Sequence, residues 1–201
     1  MTDEVRARSD VGIAAISIQS PAVRLNCRSV ARIVTMTETL TPSRLWKQMN
    51  GAQRLASSRA FWADEEAIDD QIQAALLIAQ QKKFRPKTVI GLDLDRKSKH
   101  LASLASLPES IAGRVLVLYH LSDQRALMGR FLDALGIEHE NGLIKEDAVK
   151  PDTAKLAPAA AILGREFPPD DVRLYLTTLL CQDPETWGGL SEIIEGLRAK
   201  G

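Results

Sequence analysis

The chain has 201 residues, a formal net charge of zero, 45% hydrophobic residues and two cysteines. This length can hold one domain with a sizeable core or two small lobes. A balanced charge gives no overall basic field that would draw the chain onto nucleic acid or anionic lipid, and two cysteines are too few for a disulfide framework. No apolar run is long enough for a membrane span, so we expect a soluble, cytoplasmic protein with no membrane partner.

The N-terminal residues differ from the rest of the chain. Residues 1–40 sustain neither helical nor alternating hydrophobic periodicity, which is typical of a segment without a core face. We predict a poorly ordered extension here, followed by an all-α domain over 41–201. Met36 is an alternative natural start, because a helix-capping sequence follows it directly.

From residue 41 onward the sequence predicts short helices in succession. Thr41-Pro42 combines an N-cap with proline at the first helical position, and Asp64 is predicted to cap the longest helix, over 65–84. The 3.6-residue spacing in that pattern predicts a buried stripe made of Ile68, Ile72, Ala75, Leu76 and Ala79. The only strand candidate is the isolated segment at 88–92.

The second half of the sequence has clear helix boundaries. Gly136 is placed to end a helix in the left-handed conformation, with Ile137 making the hydrophobic contact of a Schellman motif. The most regular amphipathic spacing in the chain comprises Val172, Tyr175, Leu176, Leu179 and Leu180. The fold class we predict is all-α, an orthogonal bundle of eight or nine short helices. If the bundle is divided into two lobes, the proline-marked connection near 138–152 joins them.

Residues 96–121 invite comparison with a DNA-binding helix-turn-helix. A small-residue helix, a Pro-Glu-Ser turn and a second helix follow in order, but Ser106 stands where the turn usually has glycine. The second helix is apolar nearly all round and offers Arg114 against Glu109, which is a poor set for reading bases. We therefore expect a core helix with Val115 and Leu118 buried.

A basic segment is the main argument for nucleic acid. Residues 82–100 carry seven lysines and arginines against two aspartates, which could hold phosphates. Complementation of the preceding helix dipole explains part of this charge without any ligand. The candidate nucleic-acid-binding residues are Lys82, Lys83, Arg85, Lys87, Arg96, Lys97, Lys99 and Arg114.

Catalytic and metal-binding motifs are absent from the sequence. His139 lies between two glutamates, but Leu143 stands where a zinc protease needs its second histidine. No nucleophile elbow, phosphate-binding loop or dinucleotide fingerprint occurs. We therefore predict no catalytic residue, metal site or cofactor.

Three function classes remain after these exclusions. We favour a non-catalytic helical interaction or regulatory module that binds a protein partner. The first alternative is a nucleic-acid-binding protein that uses residues 82–100 with the degenerate helix-turn-helix at 96–121, and the second is an enzyme whose dispersed site lies near His120 and His139. For the first class, aromatic residues near predicted helix ends would line a partner groove, namely Trp46, Phe61, Trp62 and Trp187.

Overall fold

Eleven α-helices and one hairpin of two-residue strands form the regular structure of residues 40–145 and 150–198, the part that this computed structural model describes. The helices are α1 Pro42–Gln48, α2 Gly51–Ala63, α3 Ile68–Lys82, α4 Pro86–Ile90, α5 Leu94–Ala102, α6 Glu109–Asp123, α7 Arg125–Leu135, α8 Thr153–Glu166, α9 Pro169–Gln182, α10 Pro184–Trp187 and α11 Leu190–Arg198. Between α7 and α8 the strands β1 His139–Glu140 and β2 Leu143–Ile144 pair antiparallel. The all-α prediction is confirmed. The predicted extension, apart from Leu40, and residues 146–149 of the predicted joint lie outside the described residues.

The helix count exceeds the predicted eight or nine for two reasons. The segment that was the only strand candidate contributes to α4, which begins with Pro86 at its first position. Proline suits that position because its ring fixes φ at a helical value, and because the N–H that it lacks would have no helical acceptor there. The final predicted element is divided at Gly188 and Gly189 into α10 and α11.

Side-chain caps fix several helix starts. Thr41 begins α1 by accepting a hydrogen bond from the Arg44 N–H, as its Thr-Pro signal predicts. Asn50 and Gln53 form a reciprocal capping box at the start of α2. Asp93 caps α5 by accepting from the Arg96 N–H at 2.8 Å. Each cap satisfies a backbone donor that the helix itself cannot use.

The end of α7 and the hairpin form one turn-rich corner. Gly136 adopts φ +74°, and the Ile137 N–H donates to Leu132 O at 3.0 Å, so the predicted Schellman end is confirmed. In the hairpin, Asn141 and Gly142 both have positive φ, as a two-residue turn of the primed type requires. Asn141 and Gly142 thus form the tip of a small β-hairpin within the predicted connection near 138–152.

The buried side chains form two hydrophobic clusters. The first is built from α1 to α6 with Leu174 of α9, and the second is built from α7 to α11 with Ile137. All four aromatic residues that we expected at a partner groove are instead buried in these clusters. Trp46 is completely buried, and its indole N–H donates to Leu104 O at 3.0 Å. The groove expectation is wrong because all four rings are buried among other core side chains and leave no surface for a partner.

Helices α6 and α9 occupy the interior. Helix α6 packs against α1, α2, α3 and α7, and both Val115 and Leu118 are buried as predicted. The predicted stripe of α9 is also confirmed, with Leu179 half-buried and its other four members buried. Between these helices, Asp171 accepts hydrogen bonds from the Gln53 amide at 2.8 Å and the Tyr119 hydroxyl at 3.1 Å. None of the described helices combines the length and apolar character that crossing a bilayer requires.

Candidate functional site

The outward face of α3 is the reverse of what the hydrophobic spacing predicts. Ala75 and Ala79 are buried as expected, but Ile68, Ile72 and Leu76 are 58%, 45% and 50% exposed. The core side of the helix is taken by three alanines and Ile78, which are buried between 0% and 4% exposure. The prediction that all five stripe residues are buried is therefore wrong for its three large members.

The sequence gives a physical reason for this error. Residues 71–81 contain no charged side chain, so both sides of α3 are apolar or neutral. The spacing of Ile68, Ile72 and Leu76 and the spacing of the alanines with Ile78 both follow the helical period. Small alanines allow α3 to approach the core closely, which leaves the larger residues on the outside. The absence of charge on a surface helix is the sequence signal that identifies this face, hereafter the α3 face (Ile68, Ile72, Gln73, Leu76 and Gln80).

The basic candidates divide into engaged and free groups. Arg96 contacts Asp93 at 3.3 Å, and Lys99 contacts Asp95 at 2.6 Å. The pKa of Asp95 is held below its usual range by the hydrogen bonds from Lys99 and Arg59. These residues are therefore paired on the surface of α5.

Two further candidates, Lys97 and Arg114, contact residues at the end of α2. Lys97 lies with its ammonium 5.1 Å from the centre of the Trp62 ring, within the range of a cation–π contact. Arg114 is half-buried and its guanidinium lies 3.5 Å from Asp64. Asp64 is the C-cap of α2, so the prediction that it caps the longest helix is wrong; the N-cap of α3 is Ala67. Arg114 is thus tied to the connection between α2 and α3.

Four candidates stay exposed at the C-terminal end of α3 and in α4, namely Lys82, Lys83, Arg85 and Lys87. Within the described part of the chain these four have no carboxylate partner. Lys83 has φ +56°, and its N–H donates to Ala79 O as the left-handed residue that ends α3. The four residues form the basic end of α3.

His120 is enclosed between α6 and α9. Its Nε2 lies 3.1 Å from Thr178 Oγ1, and Tyr119 and Tyr175 pack against the ring. The Thr178 hydroxyl already donates to Leu174 O, so it accepts from an Nε2–H of the imidazole. Burial lowers the pKa of His120 to about 4, which makes the neutral ring the stable form.

His139 has both ring nitrogens occupied. Gly142 N–H donates to its Nδ1 at 3.2 Å, so Nε2 carries the proton and faces Asp133 Oδ1 at 3.0 Å. An open depression beside it is lined by Arg125, Arg130 and Gly142 among others. Both ring nitrogens of His139 are thus held in contacts with α7 and the hairpin. His139 contacts α7 and the hairpin, whereas His120 contacts α6 and α9, so the described contacts do not bring the two histidines into one site.

The remaining reactive groups are also held in structural contacts. Cys181 lies with its sulfur 3.6 Å from Leu40 O, and burial followed by the charge of Glu109 raises the pKa of its thiol. Arg130 makes two 2.8 Å hydrogen bonds to Glu166, although it borders the depression. Across residues 40–145 and 150–198 no three potential ligands among His, Cys, Asp and Glu lie close enough to hold a metal ion.

Comparisons with protein families, curated proteins and solved structures find no match to this chain.

Proposed function

We propose that this protein is a helical interaction module that binds a protein partner through the α3 face. The observation that carries the proposal is the outward placement of Ile68, Ile72 and Leu76 on a helix whose alanines point inward. Contiguous exposed apolar surface of this kind marks interaction sites in folded proteins, whereas single exposed leucines need no explanation. The α3 face is of the contiguous kind, because its three large apolar side chains follow one another at four-residue spacing on one helix.

The energetics support a surface that a partner covers. Full burial of an isoleucine or leucine side chain contributes about 1.5–3 kcal/mol. Since each of the three side chains is about half exposed, covering them would contribute about 2–4 kcal/mol in total. In the single copy these parts of the three side chains remain in contact with water, so the contribution is available to a partner.

The polar residues of the α3 face also suit an interface. Gln73 and Gln80 are exposed and uncharged, so covering them removes no ion from water. Interface cores are depleted in charged residues, with polar and charged groups at the rim. Asp69 and Lys83 stand at the two ends of the face, where a rim would lie. We propose the cytoplasm as the compartment, in keeping with the free thiol of Cys181.

A photocrosslinking experiment tests this function. A benzophenone amino acid replaces Gln73 on the α3 face, and in a control variant it replaces Gln48, an exposed glutamine at the end of α1. We expect irradiation of cells that express the protein to give discrete crosslinked adducts from position 73 and none from position 48. Equal patterns from both positions, or no adduct at position 73, would contradict the proposal.

Nucleic-acid binding is the second candidate function, favoured by the four exposed cations at the basic end of α3. Phosphate contacts by these residues would make binding strongly salt-dependent. The test is titration of a labelled random duplex and a labelled single strand at two salt concentrations, with Lys83→Ala and Lys87→Ala variants. Binding tighter than about 10⁻⁶ M at physiological salt, weakened by both variants, would establish it over the protein-partner function.

A further inference from the structure

Three residues of α3 and its cap share one line along the helix. Asp69, Leu76 and Lys83 are spaced by seven residues, which is two helical turns less about 20°. An acidic and an apolar side chain therefore share one side of α3, and a basic residue follows at the same spacing where the helix ends. Each charged residue lies about 10 Å from Leu76 along the helix axis.

The charges along Asp69, Leu76 and Lys83 are complementary to those of a second copy that runs in the opposite direction. If a second α3 runs antiparallel with a twofold axis at Leu76, Asp69 of each copy comes to the level of Lys83 of the other. Leu76 then faces Leu76 at the axis. By residue number the same axis pairs the exposed Ile68 with Phe84, which follows the end of α3 and is 42% exposed. Charged and apolar positions are thus both matched by a single symmetry operation.

We propose that the partner of the α3 face is a second copy of this chain, bound as an antiparallel twofold dimer through α3. This inference rests on the proposed interaction function and names its partner. A twofold interface requires one patch that complements itself, and the Asp69–Leu76–Lys83 line meets that condition. Antiparallel helices that cross at about 20° stay in contact over the length of such a line.

The backbone of both charged residues is fixed by helix α3 and its cap. Lys83 is the left-handed cap of α3, and Phe84 N–H donates to Ala79 O at 2.9 Å, which completes a Schellman end. Asp69 lies in the first turn of α3. Neither charged group has a carboxylate or cationic partner within the described part of the chain. Pairing across the dimer therefore breaks no ion pair that those residues make in one copy.

The size of the surface sets the expected strength. One face of a helix about 22 Å long is smaller than a standard stable interface, so the dimer belongs to the weak class. We expect a dissociation constant on the order of 10–100 µM. Sedimentation equilibrium of the full chain, from about 5 µM to 500 µM, covers both monomer and dimer over this range. A monomer throughout would overturn the proposal.

A first pair of variants tests the centre of the interface. Leu76→Lys places two ammonium groups at the twofold axis, and lysine suits a helix nearly as well as leucine. Leu143→Lys is the matched control, because Leu143 is 48% exposed in β2, outside α3. We expect Leu76→Lys to weaken dimerisation at least tenfold and Leu143→Lys to leave it unchanged. Equal effects of the two variants would overturn the proposal.

Charge exchange tests the antiparallel register. In a dimer of the Asp69→Lys variant, the new lysine of each copy faces Lys83 of the other copy. In a dimer of the Lys83→Asp variant, the new aspartate faces Asp69. Like charges then meet at both ends, so each variant should dimerise less than the wild type. An equimolar mixture of the two variants restores an opposite pair at both ends, and we expect it to form heterodimers. Aspartate is tolerated at the positive φ of residue 83. Glu192→Lys, at the start of α11, controls for loss of an acidic residue from a first helical turn.

The outcomes separate the two proposals. Recovery of association only in the mixture supports the antiparallel dimer, and failure of the mixture to recover overturns it. Crosslinked adducts of twice the chain mass at position 73 support it as well. Two outcomes would overturn the dimer. In the first, position 73 crosslinks only to other proteins. In the second, it crosslinks only within its own copy. Of these two, adducts with other proteins leave the interaction function in place, whereas adducts within one copy contradict both proposals.

Discussion

Replacing His120 by glutamine should remove a pH dependence of folding that this single buried ring imposes. The imidazole is enclosed by Tyr119 and Tyr175 and donates from Nε2 to Thr178. Within the described residues its buried Nδ1 has no hydrogen-bond partner. A proton added at Nδ1 would create a charge with no counter-ion in this apolar setting. Glutamine can still donate from an amide nitrogen near the position of Nε2, but it does not titrate.

The magnitude follows from the two protonation equilibria. Burial lowers the pKa of His120 to about 4 from its ordinary value of 6.5. Between these pH values the unfolded chain takes up a proton that the folded chain does not, so the free energy of unfolding falls as the pH is lowered. The contribution is fully present above pH 6.5 and is lost progressively towards pH 4. Its total size is about 3 kcal/mol, at a limiting slope of about 1.4 kcal/mol per pH unit.

Urea denaturation between about pH 4.5 and pH 7.5 measures this contribution directly. The quantity of interest is the difference in slope between the wild type and His120→Gln, because acidic groups titrate in both proteins. His100→Gln is the matched control, since it removes a histidine but leaves His120 in place, and it should keep the wild-type slope. An unchanged slope in His120→Gln would refute the assignment of the pH dependence to this ring.

Four further substitutions test the packing. Ile78→Ala should lower the free energy of unfolding by about 2–5 kcal/mol because Ile78 is fully buried, whereas Leu76→Ala, measured on the dilute protein, should cost less than about 1 kcal/mol. Leu118→Ala should also cost about 2–5 kcal/mol in urea denaturation, and a near-zero cost would place this side of α6 outside the core. Gly142→Ala should destabilise the hairpin by about 1–3 kcal/mol, since the residue has φ +84° and a new Cβ would lie 2.7 Å from that of Met128. Thermal unfolding followed by circular dichroism measures this last effect, and an unchanged midpoint would contradict it.

The sequence predicted well wherever a local signal had only one structural solution. Thr41-Pro42 starts α1 and Gly136 ends α7, because each residue type satisfies a backbone requirement at that position. The stripe of α9 was equally clear, since polar residues such as Asp170 and Arg173 lie outside its apolar arc. The pattern does not show that Leu174, Thr177 and Thr178, which lie outside this stripe, are buried as well.

The orientation of α3 could not be obtained in this way. Both of its arcs are apolar or neutral, so periodicity indicates a helix without deciding which side faces the core. Packing distance decides the question, because alanine-lined contacts let helices approach more closely than contacts lined by isoleucine. That information lies in α4, α5 and α6, which pack against α3, and it is not local to the sequence of α3.

The contacts of the basic residues could not be predicted from the sequence either. Arg114 and Asp64 are fifty positions apart, yet they meet at 3.5 Å. Trp62 and Lys97 are likewise brought together only by the packing of α2 on α5. A run of positive charge in a sequence therefore overstates the charge that is free at the surface.

Helix α9 contributes to both hydrophobic clusters, with Leu174 in the first and Tyr175 and Leu176 in the second. A chain cut between α6 and α7 would therefore yield an N-terminal fragment that lacks one wall of its own core. The amide hydrogens of α9 should be among the slowest in the chain to exchange with solvent, because opening this helix disrupts both clusters at once. Two fragments made by such a cut should each fold poorly alone and recover structure when they are mixed.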